Sequence, residues 1–212
     1  MQNNDLVWYA CYGSNISTQR FLCYIEGGTP PGAKQTYKGC ENKTRPSKSK
    51  PVSINRELYF AQKAPTWNGG GVAFLNPEKT EIHKSFGRKY LITKDQFKDL
   101  LRQELNFEGE IQVDFELLSK NGSLNCMPEG RYGQLLYLGE DESIPVVSFT
   151  SEKYLDGELN APSDAYLTTI IKGLREIYEL DDAEIVDYFG TKAGIKGTEL
   201  EKRLKELAEA GR

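Results

Sequence analysis

The chain has 212 residues, of which 27% are charged and 38% hydrophobic, with a formal net charge of −4. That length suits one domain with a small appendage, and it can bury a core without help from disulfides or a metal. The acidic balance leaves no basic footprint for nucleic acid, and no apolar run approaches the roughly 20 residues of a membrane span.

The opening "MQNNDLVWYA" has neither the basic start nor the long apolar stretch of a signal peptide, so none is expected. Residues 6–12 are short, apolar and aromatic, which predicts an interior strand. The run stops at Gly13, Ser14 and Asn15. Ser17 is then expected to cap a short helix whose buried face carries Phe21, Leu22 and Ile25, before "EGGTPPG" (26–32) breaks the chain. The locally basic "KTRPSKSKP" (43–51) reads as a solvated loop. Strands are expected at 57–62, 71–75, 84–92, 111–118, 133–138 and 146–150, and helices at 94–104, 164–178, 182–189 and 199–210. Thr93 with Gln96, and Thr198 with Glu201, have the spacing of capping boxes. On the last helix Leu200, Leu204 and Leu207 share one face, which serves either docking on the domain or a dimer contact. There is no internal repeat. Strands and helices do not alternate regularly, so the expected fold class is α+β: a mixed or mostly antiparallel sheet, curled into a small barrel and flanked by helices.

The four cysteines (Cys11, Cys23, Cys40, Cys126) contain no Cys-x-x-Cys pair, so neither a zinc site nor a disulfide framework is expected. Cys11 and Cys23 read as small buried thiols, and a reducing cytoplasm is the expected compartment. His83 is the single histidine, which excludes multi-histidine metal sites and reads as a surface residue.

The chemistry is best sought on the helix at 94–104. Phe97, Leu100 and Leu101 follow the spacing of a buried stripe, and the next position on that stripe is Glu104. A carboxylate where a leucine is expected costs stability unless paired or protonated, and burial raises its pKa toward the range useful for proton transfer. The alternatives are a fraying helix end or an ion pair with an arginine. "WNGGGVAFL" (67–75) has no Lys-Ser/Thr, so it is a turn entering a strand, where small residues permit close packing, and not a phosphate loop. Pro162 and Ser163 open a helix with Tyr166, Ile170, Leu174 and Ile177 on one face, and Tyr166 is either core or pocket wall. Amides freed at the end of the first strand would suit an anion or oxyanion, and Gly13 lets a substrate approach the backbone; an ordinary tight turn is the other reading.

These stretches occur together in one family. "YGSN" (12–15), "WNGGGVAFL", "FGRKYLITKDQFKDLLRQE" and "APSDAYLTTIIKG", in that order over about residues 5–180, resemble the gamma-glutamylcyclotransferase-like proteins. The resemblance implies a small mixed β-barrel flanked by helices over residues 1–180, with 181–212 as a helical extension packed on it. It implies Tyr12, Gly13, Ser14 and Asn15 as the substrate-holding loop, Glu104 as the acid/base and Tyr166 as a pocket residue. The chain departs from the pattern at Leu105 and Asn106, where many relatives have glycine after the glutamate. It departs again at Phe149, where some have tyrosine.

The implied reaction needs no metal and no cofactor: a gamma-glutamyl amide cyclises to 5-oxoproline and releases an amine or amino acid. The leaving group stays open among glutathione, a gamma-glutamyl amine and a glutamylated metabolite. The alternative is a catalytically inactive small-molecule binding module of the same fold. The expected partner is a small gamma-glutamyl substrate, with no nucleic acid or membrane, for a cytoplasmic monomer or weak homodimer.

Overall fold

The computed structural model describes residues 5–30, 35–154 and 157–212. The first four residues of the opening stretch, and Pro31 and Gly32 of the expected break, lie outside the described residues. A six-stranded mixed sheet carries the core. Its strands in chain order are β1 (Leu6–Cys11), β2 (Ser49–Ile54), β5 (Ser85–Thr93), β6 (Ser123–Asn125), β7 (Gln134–Asp141) and β8 (Ile144–Thr150), arranged β2-β5-β1-β8-β7-β6. The strands β3 (Leu58–Ala61) and β4 (Val72–Leu75) form a separate antiparallel ribbon. Thr150 joins the ribbon to β8, accepting from the Leu75 N–H at 3.0 Å and donating to the Leu75 carbonyl at 2.6 Å.

Why β1 reads as one apolar run follows from its place. It pairs antiparallel with β5 and parallel with β8, and every residue from Val7 to Cys11 is buried. A strand covered on both faces does not alternate. Helices close the sheet: α1 (Thr18–Glu26), α2 (Lys94–Leu105), α3 (Phe115–Asn121), α4 (Asp164–Tyr178), α5 (Asp182–Gly190), α6 (Glu199–Lys202) and α7 (Leu204–Ala210). The capping box of α2 forms in full: Thr93 Oγ1 accepts from the Gln96 N–H and the Gln96 side chain accepts from the Thr93 N–H, both at 3.0 Å. Ser163 caps α4 through the Tyr166 N–H.

Several expectations are corrected. Residues 111–118 do not form a strand. Ile111, Val113 and Phe115 mimic alternation, but Asp114 accepts from the Leu117 N–H at 2.9 Å and starts α3, which Gly122 ends at a φ of 78°. The basic 43–51 segment is a loop only in its first part, because Ser49–Ile54 forms edge strand β2 on β5, with Ser49 and Pro51 still exposed. The strand β6 had not been anticipated. Ser17 stands at the start of α1 without a side-chain cap, and α1 buries Arg20 and Tyr24 beside Phe21 and Ile25, with Leu22 only half-buried. Cys23 is also half-buried.

The expected last helix is two helices divided at Arg203. Its capping box does not form. Glu201 takes the Gly197 N–H, and the Thr198 hydroxyl donates to the Ile195 carbonyl at 2.6 Å. Leu200, Leu204 and Leu207 are all buried within the chain, and Arg175 of α4 donates to the Ala208 carbonyl at 3.2 Å, so this face docks on the domain. No helix of the described residues is long and apolar enough to cross a membrane.

Candidate active site

The chain leaves the sheet at Tyr12, whose hydroxyl donates to the Phe149 carbonyl at 2.7 Å and pins the loop to β8. Ser14–Ile16 then form one 3₁₀ turn leading into α1. Its closing bonds run from the Ile16 and Ser17 N–H groups to the Gly13 and Ser14 carbonyls. No backbone bond among the described residues takes the N–H of Gly13, Ser14 or Asn15, and the Ser14 N–H meets the Tyr166 hydroxyl. That hydroxyl also accepts from the Ala73 N–H at 3.2 Å. Gly13 is required by space: a Cβ there would stand 2.9 Å from the Tyr166 oxygen. The same need explains Gly70 and Gly71, whose Cβ atoms would overlap the backbone of Ser163 and Asn160.

Glu104 continues the inward stripe of α2, where Phe97, Leu100 and Leu101 are fully buried. One turn further on, the stripe reaches a cavity of about 260 Å³, onto which Glu104 opens together with Tyr12, Gly13, Ser14, Asn15 and Tyr166. The structure thus brings all six sequence-predicted site residues to one pocket. Glu104 is half-buried because it is enclosed by protein except toward this cavity. Asn15 Nδ2 donates to its Oε1 at 3.1 Å and to the Tyr9 hydroxyl at 3.4 Å. Asn15 Oδ1 is enclosed and without a partner. Burial pushes the Glu104 carboxyl above its ordinary range, while the Tyr24 hydroxyl, Arg20, the Asn15 amide and Arg131 pull it back. Among the described residues Glu104 has no ion-pair partner within contact distance, so the arginine pairing considered from sequence does not occur. Glu108 is not a further member of the stripe: α2 ends at Leu105, Asn106 takes a φ of 49°, and Glu108 is exposed.

Sequence reasoning missed the opposite wall. Arg20 is 7% exposed, and its Nε donates to Ser14 Oγ at 2.8 Å while Nη2 donates to the Tyr37 hydroxyl at 2.7 Å. The Trp67 ring lies 4.8 Å from its guanidinium carbon. The Tyr24 and Tyr37 hydroxyls share a 3.2 Å bond, and the Gln103 side chain ties α2 to the Tyr24 carbonyl at 3.0 Å. Arg20 and Tyr24 are four apart on α1, so the signal was a cation and a phenol on one face of the helix that follows the loop. Burial raises the phenols of Tyr9, Tyr24 and Tyr132, and that of Tyr166 to about 12, so these groups stay protonated near neutral pH. Cys11 also lines the pocket, but burial pushes its thiol to about 12 and its Sγ donates to the Arg88 carbonyl. His83 is exposed and remote. No group of three or more His, Cys, Asp or Glu among the described residues could hold a metal ion.

The pocket therefore holds a titratable carboxylate of raised pKa, neutral hydroxyl donors, loop amides that no backbone bond takes, and a buried guanidinium that no carboxylate contacts among the described residues. Such a set can move a proton beside a bound anion. No family model matches the chain. It is 35% identical over 197 residues to Histone deacetylase 5 of Arabidopsis thaliana, a match covering 86% of this chain and 30% of that protein. The chain thus spans less than a third of that relative's length. Among solved structures it is similar to a gamma-glutamyl cyclotransferase at TM-score 0.48 and 15% identity, covering 97% of this chain and 99% of that one. It is also similar to a gamma-glutamyl cyclotransferase specific to glutathione from yeast at TM-score 0.45 and 12% identity, covering 99% of this chain and 98% of that one.

Proposed function

We propose that the protein is a gamma-glutamylcyclotransferase-like enzyme that cyclises a gamma-glutamyl amide to 5-oxoproline and releases an amine or amino acid. The observation that supports this most is Glu104, a carboxylate of raised pKa that opens on the pocket and is oriented by Asn15. The α-ammonium of the substrate must lose a proton before it can attack. Glu104 takes that proton, and the neutral nitrogen adds to the γ-carbonyl carbon to close a five-membered ring. The carbonyl electron pair moves onto oxygen, and the amides of Gly13 and Asn15, which no backbone bond takes, hold that oxyanion. Glu104 returns the proton to the leaving nitrogen and the bond from carbon to that nitrogen breaks; the ring nitrogen then gives its second proton to Glu104, which passes it to the released amine, so that a neutral lactam and an ammonium result. Attack is intramolecular, so a pocket that folds the glutamyl group back on itself supplies much of the acceleration.

In this reading Tyr12 anchors the loop to β8, and Tyr166 fixes the Ser14 amide. Residues 1–180 form the catalytic unit and 181–212 an extension docked on it, in a cytoplasmic monomer or weak homodimer that binds no nucleic acid. The test is a panel of gamma-glutamyl amino acids, peptides and amines incubated with the purified protein, with 5-oxoproline release measured. Release from at least one, abolished by Glu104→Gln, is the expected result. Binding without release from any compound would leave a binding module of this fold.

A further inference from the structure

The pocket has a second cation. Arg131 lines it from the turn between β6 and β7, half-buried and acting on Glu104 and Tyr132 through its charge. Among the described residues no carboxylate pairs with Arg131, and none of its nitrogens makes a hydrogen bond. Arg20, on α1, also lines the cavity and has no carboxylate in contact among the described residues, and its Nη1 has no partner, although Nε and Nη2 are both held. Arg20 is 7% exposed.

Charge decides what fits. Guanidinium groups do not lose their proton in proteins. Two of them facing one carboxylate leave the pocket with an excess positive charge, and a buried unpaired cation is costly until an anion meets it. A gamma-glutamyl amide of a simple amine carries one ammonium and one carboxylate, so it brings no net charge. When the leaving amine bears its own carboxylate, as in a gamma-glutamyl amino acid or peptide, the substrate carries one net negative charge and matches the pocket. Building on the cyclotransferase reading, we propose that Arg131 is a specificity residue that receives the carboxylate of the leaving amine, while Arg20 holds that of the glutamyl group. Placement supports this division. Arg20 is bonded to Ser14 of the loop, where the glutamyl carbonyl would sit, whereas Arg131 stands on the separate β6–β7 turn.

The experiment compares gamma-glutamyl-alanine with gamma-glutamyl-ethylamide, which differ at the leaving amine by the carboxylate, in the wild type and in Arg131→Gln. Turnover is read as 5-oxoproline, and binding is measured by calorimetry in Glu104→Gln alone and combined with Arg131→Gln. The wild type should favour gamma-glutamyl-alanine by about 10- to 100-fold in kcat/KM, the range expected for one charge-assisted bond. Arg131→Gln should erase most of that preference through KM, with circular dichroism and Tm confirming a folded protein. Equal losses on both substrates, or a wild type that favours the ethylamide, overturn the assignment while leaving the cyclotransferase reading intact. Tighter binding of gamma-glutamyl-alanine that depends on Arg131, with no 5-oxoproline from either compound, sinks the activity and keeps the assignment. No binding of either compound overturns both.

Discussion

Replacing Gly13 by alanine tests how the loop and α4 are fitted together. The new Cβ would lie 2.9 Å from the Tyr166 oxygen and 3.5 Å from the Ala73 Cβ, so the second contact is ordinary and the first is not. The Gly13 φ is −108°, so the cost is one of space and not of a left-handed backbone. Reaching an ordinary contact needs a shift of about 0.5 Å, and Tyr166 is held in place by the Ala73 N–H at 3.2 Å and by the Ser14 amide. Overpacking of this kind costs about 1–3 kcal/mol, including a weakened hydrogen bond worth about 1 kcal/mol. For a chain of this size that lowers Tm by about 3–10 °C. Tyr166→Phe alone also destabilises, because it leaves the buried Ala73 N–H unpaired. The double variant removes the atom that clashes. Thermal unfolding of the four proteins should therefore show costs that fall short of additive by at least about 1 kcal/mol. Additive costs, or an unchanged Tm in Gly13→Ala, would refute the claim that the Tyr166 hydroxyl is what demands glycine.

Glu104→Gln should lower kcat by about 10²- to 10⁴-fold while Tm stays equal or rises, because burial is the largest influence on this carboxyl. Its folded pKa lies above the unfolded value of 4.5, so the wild type bears the full penalty above the folded pKa and sheds it as pH falls toward 4.5. The Tm gap between variant and wild type should narrow over that window, and a lower Tm with activity retained per folded molecule would make Glu104 structural. Burial pushes Cys11 and Cys40 to about 12, so iodoacetamide at pH 7 should label neither until the protein unfolds, as read by mass spectrometry. Native labelling at either position would contradict the burial. Hydrogen bonds from Lys50 and Lys89 hold the Asp141 carboxyl down at about 2. Its stabilising effect is present above the unfolded value of 3.8 and is lost as pH falls through about 2, so Asp141→Asn should flatten the acid limb of a Tm-against-pH curve, and an unchanged limb would remove it from that role.

What the sequence determined by itself is local and periodic. The helix over 164–178 was legible to the residue, because Ser163 caps it and an apolar face persists through it. The capped start of α2 followed from the Thr93–Gln96 spacing, the stripe on which Glu104 lies from 3.6-residue geometry, with a fraying end or an arginine pair left open, and the buried run of β1 from its unbroken apolar composition. Short-range signals failed where two were in competition. Residues 111–118 offered both an alternating pattern and a cap at Asp114, and the cap prevailed because Leu118 and Phe115 pack on the core while Leu117 stays exposed. Edge strand β2 carries few apolar residues, since its pairing comes from β5 and not from its own composition. The tertiary structure alone decided what surrounds Glu104. Asn15 is 89 positions away in sequence, Arg20 belongs to a different helix and Arg131 to a distant turn. No spacing rule links such positions, because the pocket is made where the end of β1, the start of α1, the end of α2 and the β6–β7 turn converge. The carboxylate is written into the helix, but the burial that raises its pKa, and the cations that share its pocket, exist only once helices and turns have packed against the sheet.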